Sequence, residues 1–197
     1  MWNQRYNQPD YVYGTQPNDF LHAIAANVPH GKLLSLGEGE GRNAVYLATL
    51  GYDVTAVDSS DVGLEKARRL AAEKGVKITT ITADLGEYQI QPDSWDGIVS
   101  IFCHIPSAIR VPLHQAVVRG LKPGGVFVLE AFTPRQLELK TGGPTSPDML
   151  MTLAGLLQEL DGLKFIQAVE LDRDVVEGKF HTGQAAVVQI LGIKMAG

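Results

Sequence analysis

The run Leu33-Leu34-Ser35-Leu36-Gly37-Glu38-Gly39-Glu40-Gly41 most constrains what this chain can become. An apolar, strand-like stretch passes directly into three glycines on alternate positions, and the helical pattern Arg42-Asn43-Ala44-Val45-Tyr46-Leu47-Ala48 follows at once. Strand, glycine turn and helix start in that order make a nucleotide-type loop. Gly37, Gly39 and Gly41 let the backbone turn sharply and let a ligand approach main chain, while the helix aims N–H groups at that ligand. The dinucleotide fingerprint G-x-G-x-x-G would put its third glycine on Arg42. Glu38 and Glu40 also bring negative charge into a loop that would have to hold an anionic pyrophosphate, which like-charge repulsion disfavours. The loop therefore predicts a cationic ligand.

The order of the remaining elements sets the fold class. Asn18 caps a helix over Phe20 to Ala26 that Pro29 and Gly31 stop, and residues 32 to 36 form the first strand. A second strand over Asp53 to Asp58 leads, through Ser59 and Ser60 as caps, to a helix that stops at Gly75. Val76 to Thr82, Trp95 to Phe102 and Val126 to Phe132 read as strands three, four and five, with a helix over Pro106 to Leu121 before the turn Lys122-Pro123-Gly124-Gly125. Strands alternating with helices imply a parallel sheet covered on both faces. The tail differs: after a helix over about 148 to 160, two β-rich runs, 163 to 176 and 184 to 194, are separated by too few residues for a parallel crossover and must pair as an antiparallel hairpin.

This outline, with the loop, resembles the class I S-adenosylmethionine-dependent methyltransferases from about residue 18 on. The resemblance implies a Rossmann-like, doubly wound α/β sheet of seven strands, mostly parallel with an antiparallel C-terminal hairpin, in the order 3-2-1-4-5-7-6. It also implies S-adenosylmethionine as cofactor, which has an adenosine, a sulfonium and an ammonium but no phosphate. Gly41-Arg42-Asn43 with Tyr46-Leu47-Ala48 is similar to the tellurite-resistance methyltransferase family and, more distantly, to the thiopurine methyltransferases. The family's first motif usually carries an acidic residue where this chain has Ser35; Glu38 either supplies that charge near the methionine moiety or is a solvated loop glutamate.

In open α/β sheets the ligand lies outside the carboxyl ends of the strands, where the order reverses. Asp58 closes the second strand 21 residues past Gly37, the distance at which an acidic residue accepts from both ribose hydroxyls, and Ser59 follows it. By resemblance to the third motif, Asp84 would accept from the adenine amino group with the backbone of Leu85 against the ring; an Asx turn is the other reading. Phe102 ends the fourth strand at the same edge, and Arg42 and Asn43 stand beside the methionine end. Asp96, which opens that strand, is read as structural. His104 follows it at the cleft floor as a base for an acceptor with a titratable proton. His181, in the hairpin tip, is the second candidate for the reaction itself, since the tellurite-resistance family has functional polar residues there. Tyr13 in the aromatic segment 1–17 is expected to contact the cofactor as part of a lid. Cys103 reads as a small buried hydrophobe, and Arg110 and the loop Lys140 to Pro144 have weaker claims.

The 197 residues suffice for one domain with a full core. A net charge of −5 argues against a nucleic-acid surface, and no stretch reaches the length of a membrane span, so a small-molecule acceptor in the cytoplasm is expected. One cysteine excludes an internal disulfide and a cysteine-rich metal site, and no metal is required. The segment Phe102-Cys103-His104-Ile105-Pro106 lacks the Pro-Pro-Tyr string of adenine N-methylating enzymes, and no Pro-Cys nucleophile of the cytosine C5 type is present. The acceptor implied by the resemblance is a thiol or a selenium or tellurium species. Two other readings stay open: a non-catalytic binder of the same cofactor, and an NAD-dependent oxidoreductase.

Overall fold

The computed structural model describes residues 2–178 and 181–196, with no account of the His181 side chain. Seven strands form one sheet in the order β3-β2-β1-β4-β5-β7-β6. They are β1 (Lys32–Leu36), β2 (Asp53–Asp58), β3 (Thr79–Thr82), β4 (Trp95–Ile101), β5 (Leu121–Phe132), β6 (Leu163–Glu177) and β7 (His181–Lys194). The first five pair in parallel; β7 lies antiparallel to both β5 and β6. The helices are α1 (Trp2–Tyr6), α2 (Asp19–Ile24), α3 (Arg42–Thr49), α4 (Asp61–Glu73), α5 (Ser107–Gly120), α6 (Gln136–Leu139) and α7 (Leu153–Glu159). The strand order and the hairpin are those expected.

Side chains alternate across a strand, so consecutive apolar residues feed both faces. Leu34, Leu36, Ile98, Phe127 and Leu129 pack with Leu113 and Val117 of α5 and Leu156 of α7. Leu33, Val54, Val99, Val126 and Val128 pack with Leu21 of α2, Ala44 and Leu47 of α3 and Leu64 of α4. Each buried leucine or phenylalanine contributes about 1.5–3 kcal/mol, so the doubly covered sheet is a rigid frame for the loops at its carboxyl edge. No helix among the described residues is long and apolar enough to cross a membrane.

Several boundaries differ from the sequence expectation. β3 starts at Thr79 because β2 offers partners only from Thr55 to Asp58. The Val76 N–H is instead taken by the Ala71 carbonyl at the end of α4. β5 begins at Leu121, since Trp95 pairs with Leu121 before the register shifts to Gly97 and Val126. The N-terminal segment is strapped down: Asn3 donates to Asp61 and accepts from the Ser60 hydroxyl, Lys66 donates to the Asp10 carbonyl, and Glu40 accepts from the Val12 N–H at 2.7 Å.

Candidate functional site

β1 and β4 are neighbours, and the chain leaves them toward opposite sides of the sheet, so a crevice opens beyond their carboxyl ends. The loop Gly37–Gly41, the end of β2, and Phe102 and Cys103 after β4 meet there. Gly37, Gly39 and Gly41 have φ of 62°, 65° and 96°. A side chain at Gly37 would collide with the Cys103 Sγ, 2.6 Å from the Cβ position, and one at Gly41 would lie 2.6 Å from the Ala67 Cα of α4. Gly41 thus allows α3 and α4 to pack in contact. Gly41→Ala combines a left-handed backbone, about 1–2 kcal/mol, with overpacking, about 1–3 kcal/mol. The expected result is a thermal midpoint lower by about 4 to 20 °C in a circular dichroism melt; a shift under 1 °C would show that the two helices need not touch.

The loop glutamates do not face a ligand, which corrects the sequence reading. Glu38 turns inward: its Oε1 accepts from the Asn43 and Ala44 N–H groups, each at 3.0 Å, and Oε2 accepts from the Ser35 hydroxyl. It caps α3 from five residues upstream, so two of the N–H groups expected to meet a ligand are held by protein. Burial pushes the Glu38 carboxyl up from its ordinary value against those hydrogen bonds. Glu40 pairs with Lys66 at 2.7 Å and anchors the N-terminal strap. Repulsion of a pyrophosphate by two free loop charges is therefore not what selects the ligand. Asn43 is also structural in this geometry, its Oδ1 accepting from the Asn18 N–H at 2.9 Å.

Asp58 sits where the sequence spacing put it. Its Oδ2 accepts from the Gly39 N–H at 2.9 Å and its Oδ1 from the Ser60 N–H at 2.8 Å. The Ser59 N–H also bonds this carboxylate, whose two oxygens offer about four acceptor sites in all, so acceptor capacity remains for a ligand hydroxyl. Ser59, beside it, is exposed. Asp84 is exposed just past β3; its Oδ1 accepts from the Gly86 N–H at 2.8 Å and so makes the Asx turn, while Leu85 is half-buried against the core. Tyr13 is half-buried; its hydroxyl accepts from Arg5 at 3.0 Å and its ring meets Tyr6 edge-on.

Phe102 holds φ of 50°, unusual for an aromatic residue, because its N–H donates to the Glu130 carbonyl at 2.7 Å while the chain turns out of β4. Phe102, His104 and Phe132 form an aromatic cluster with ring centroids 4.5 to 6.0 Å apart. His104 Nε2 accepts from the Phe132 N–H at 2.9 Å, which fixes the proton of the neutral ring on Nδ1. With that lone pair committed, the ring is held as a wall and a donor rather than as the base expected. Cys103 is buried and its thiol is pushed up to about 12 by burial, so it packs and does not attack. The side chain of His181 lies outside the described residues.

Five polar residues at this edge were not foreseen. Tyr6 is buried with its hydroxyl over Gly39, and burial and the nearby Asp58 both raise its pKa. Asn18 donates to Glu130 at 3.1 Å and to Glu177 at 2.8 Å; Arg173 pairs with Glu130 at 2.6 Å. Arg42 pairs with Glu177 at 2.6 Å across 135 residues of chain. A carboxylate inside the apolar run Val126–Phe132 was the available signal, since a charge on a doubly covered strand requires a partner. Arg110 belongs elsewhere, tying α5 to Glu159 of α7 at 3.0 Å. Asp96 accepts from the Lys32 N–H and from Lys122, as its structural reading requires. A groove of about 590 Å3 between α1 and α4, lined by Tyr6, Asp61 and Arg69, lies on the outer side of the strap.

Comparison with known proteins agrees with this geometry. Residues 33–125 match a family model described as a methyltransferase domain. The chain is 26% identical over 140 residues to a 2-heptyl-1-hydroxyquinolin-4(1H)-one methyltransferase of Mycobacteroides abscessus, covering 70% of this chain and 62% of that protein. It is 38% identical over 69 residues to the "Probable S-adenosyl-L-methionine-dependent methyltransferase TehB" of Haemophilus influenzae, covering 35% of this chain and 24% of that one. The match thus spans less than two thirds of either relative. The crystal structure of TehB from Haemophilus influenzae superposes with a TM-score of 0.74 at 20% identity, over 98% of this chain and 65% of that one, and so shares the fold. The strand order, the glycine loop at its switch point and the methyltransferase-domain match over residues 33–125 together make this chain similar to the class I S-adenosylmethionine-dependent methyltransferases, whose fold it shares.

Proposed function

We propose that the protein transfers a methyl group from S-adenosylmethionine to a small-molecule acceptor, a thiol or a selenium or tellurium species. The observation that carries the cofactor half is Asp58, fixed by the Gly39 and Ser60 N–H groups at the mouth of the switch-point crevice. The cofactor supplies, when bound, a methyl group already activated on a sulfonium. What remains for the chain is to hold, orient and keep water out. Asp58 holds the ribose, the backbone at Gly37 and Gly39 admits the ligand, and the strap through Tyr6 and Tyr13 covers it.

The acceptor half rests on the aromatic cluster and on His104. With Nε2 engaged by the Phe132 N–H, this ring takes no proton from the acceptor, which favours a nucleophile that ionises unaided. Thiols do so at a pKa of about 8.5. Phe102 and Phe132 offer ring contacts worth about 0.3–1.5 kcal/mol to a sulfur. A hydroxyl acceptor is the second reading, favoured by the 26% identity to the hydroxyquinolinone methyltransferase.

The test is formation of S-adenosylhomocysteine from S-adenosylmethionine with a panel of thiols, selenide, reduced tellurium species and an N-hydroxyquinolinone. Product with the soft acceptors is expected; product with the quinolinone alone moves the acceptor to a hydroxyl. A parallel melt with S-adenosylhomocysteine and NAD separates the remaining readings. At 100 times its dissociation constant a ligand adds about 2.7 kcal/mol, or roughly 5 to 10 °C. A shift with the homocysteine adduct but no product from any acceptor identifies a binder, and a shift with NAD alone overturns the proposal.

A further inference from the structure

α5 begins without a cap of its own, because Pro106 stands at its N-cap position and makes no side-chain cap bond. The cap comes from Asp148, 41 residues along the chain in the turn Pro147–Met149: Oδ2 accepts from the Ser107 N–H at 2.9 Å and Oδ1 from the Ser107 hydroxyl at 2.5 Å. The Ser107 hydroxyl and N–H hold the Asp148 carboxyl below its ordinary value, so the link is ionised at neutral pH. Ser107, Arg110 and His114 recur at helical spacing on one face of α5, and all three grip residues 148–159. Arg110 donates to the Asp148 carbonyl at 2.8 Å and to Glu159, and His114 Nδ1 lies 2.7 Å from Glu159. Arg110 and His114 are buried and hold α7 to α5, whereas the Asp148 side chain is exposed at the other end of the grip.

That exposed end joins the two segments that meet at the aromatic cluster. One is the turn Phe102-Cys103-His104-Ile105-Pro106, which runs straight into Ser107. The other is the chain from Lys140 to Met151, which is laid on Phe132. The Cβ position of Gly143, whose φ is 89°, lies 2.7 Å from the Phe132 ring, Leu150 shares a buried cluster with Phe132, and the Met151 N–H donates to the Phe132 carbonyl at 3.0 Å. The Thr141 hydroxyl, donating to the Gln184 carbonyl at 2.6 Å, holds the far part of this segment on β7.

We propose that Asp148 is a positioning residue for methyl transfer: by bonding Ser107 it fixes the 140–151 segment against the turn that carries His104, and so sets the shape of the acceptor side of the site. This rests on the transfer reading above, though not on which acceptor is used. Transfer is an in-line displacement, and a displacement of about 1 Å in the seat of a reactant can cost as much as 100-fold in rate. Because the link is exposed, its loss costs the fold little, and its effect is to be read in turnover rather than in stability.

The test compares the KM for acceptor with the affinity for S-adenosylhomocysteine, using thiophenol or, if only that turns over, the N-hydroxyquinolinone. Asp148→Ala is expected to raise the acceptor KM about tenfold and to leave S-adenosylhomocysteine binding by isothermal titration unchanged. Ser107→Ala should give part of that effect, and the double variant no more than Asp148→Ala, since both remove one link. Thr152→Ala, which deletes the cap that accepts from the Gly155 N–H of α7, loosens the same region without touching the link and should leave the KM unaltered. Hydrogen exchange of the complex with S-adenosylhomocysteine gives a reading without turnover: in Asp148→Ala the amides of 102–107 and of 140–151 should exchange faster together. An unchanged KM in Asp148→Ala overturns the proposal, as does an equal loss of S-adenosylhomocysteine affinity or an equal rise of KM in Thr152→Ala. Wild-type protein that turns over an acceptor while Asp148→Ala matches it removes the positioning role alone; wild-type protein that turns over none removes the transfer reading and this role with it.

Discussion

Asp58→Ala is expected to weaken S-adenosylhomocysteine binding by about 100-fold to 10,000-fold, read by isothermal titration. Two hydrogen bonds to a charged carboxylate, about 1.5–3 kcal/mol each, are lost with it, and every 1.4 kcal/mol is tenfold. The side chain also ties the Gly39 and Ser60 N–H groups together, so its removal loosens the glycine loop as well. Burial holds the Asp58 carboxyl above its ordinary value of 3.8 in spite of the hydrogen bonds it accepts. The ionised form is the one that accepts from both hydroxyls, so wild-type affinity should fall as the pH drops through that raised value, and Asp58→Ala should flatten this dependence. An Asp58→Ala protein that binds as tightly as the wild type would remove the ribose assignment altogether.

Glu130→Leu is expected to be the most destabilising single change at the sheet's edge. Glu130 is fully buried; it accepts from Arg173 at 2.6 Å and from Asn18 at 3.1 Å. Its removal leaves the Arg173 guanidinium, only 14% exposed, without its nearest carboxylate. Breaking a buried pair from one side costs about 3–5 kcal/mol, which for a chain of this size lowers the thermal midpoint by about 6 to 20 °C. The double variant Glu130→Leu with Arg173→Leu should recover a large part of that loss, because no uncompensated charge remains. Urea unfolding of the two single variants and the double variant gives the coupling directly. Additive losses would mean that the pair is not an energetic unit.

Asp58 and Glu130 also show where sequence reading succeeds and where it stops. The position of Asp58 was legible because it depends on local spacing: a strand, a glycine loop and a following strand fix the distance from Gly37 to the next strand end. Glu130 belongs to a network whose members, Asn18, Arg42, Glu130, Arg173 and Glu177, come from four separate elements or segments. No periodicity links residues 42 and 177. The direction of Glu38 was equally hidden, since G-x-G-x-G allows the carboxylate to face a ligand or to turn back onto α3, and only the Asn43 and Ala44 N–H groups decide between them. α1 has five residues, too few for a helix to hold by itself, and exists because Asn3 and Tyr6 are received by Ser60, Asp61, Gly39 and Gly63.

The sequence by itself determined the alternation of strands and helices, the hairpin, the position of the glycine loop and the place of Asp58, because each follows from hydrophobic period, turn residues and short-range distance, whereas the strand order was implied by the family resemblance. Only the tertiary structure decided which charged groups face a ligand and which are taken by protein. Glu38, Glu40, Asn43 and His104 are engaged within the fold, and Arg42 Nη1 is buried without a hydrogen-bond partner among the described residues. The physical reason is that a buried polar group takes whichever partner packing brings within about 3 Å, and packing is set by contacts across the whole chain.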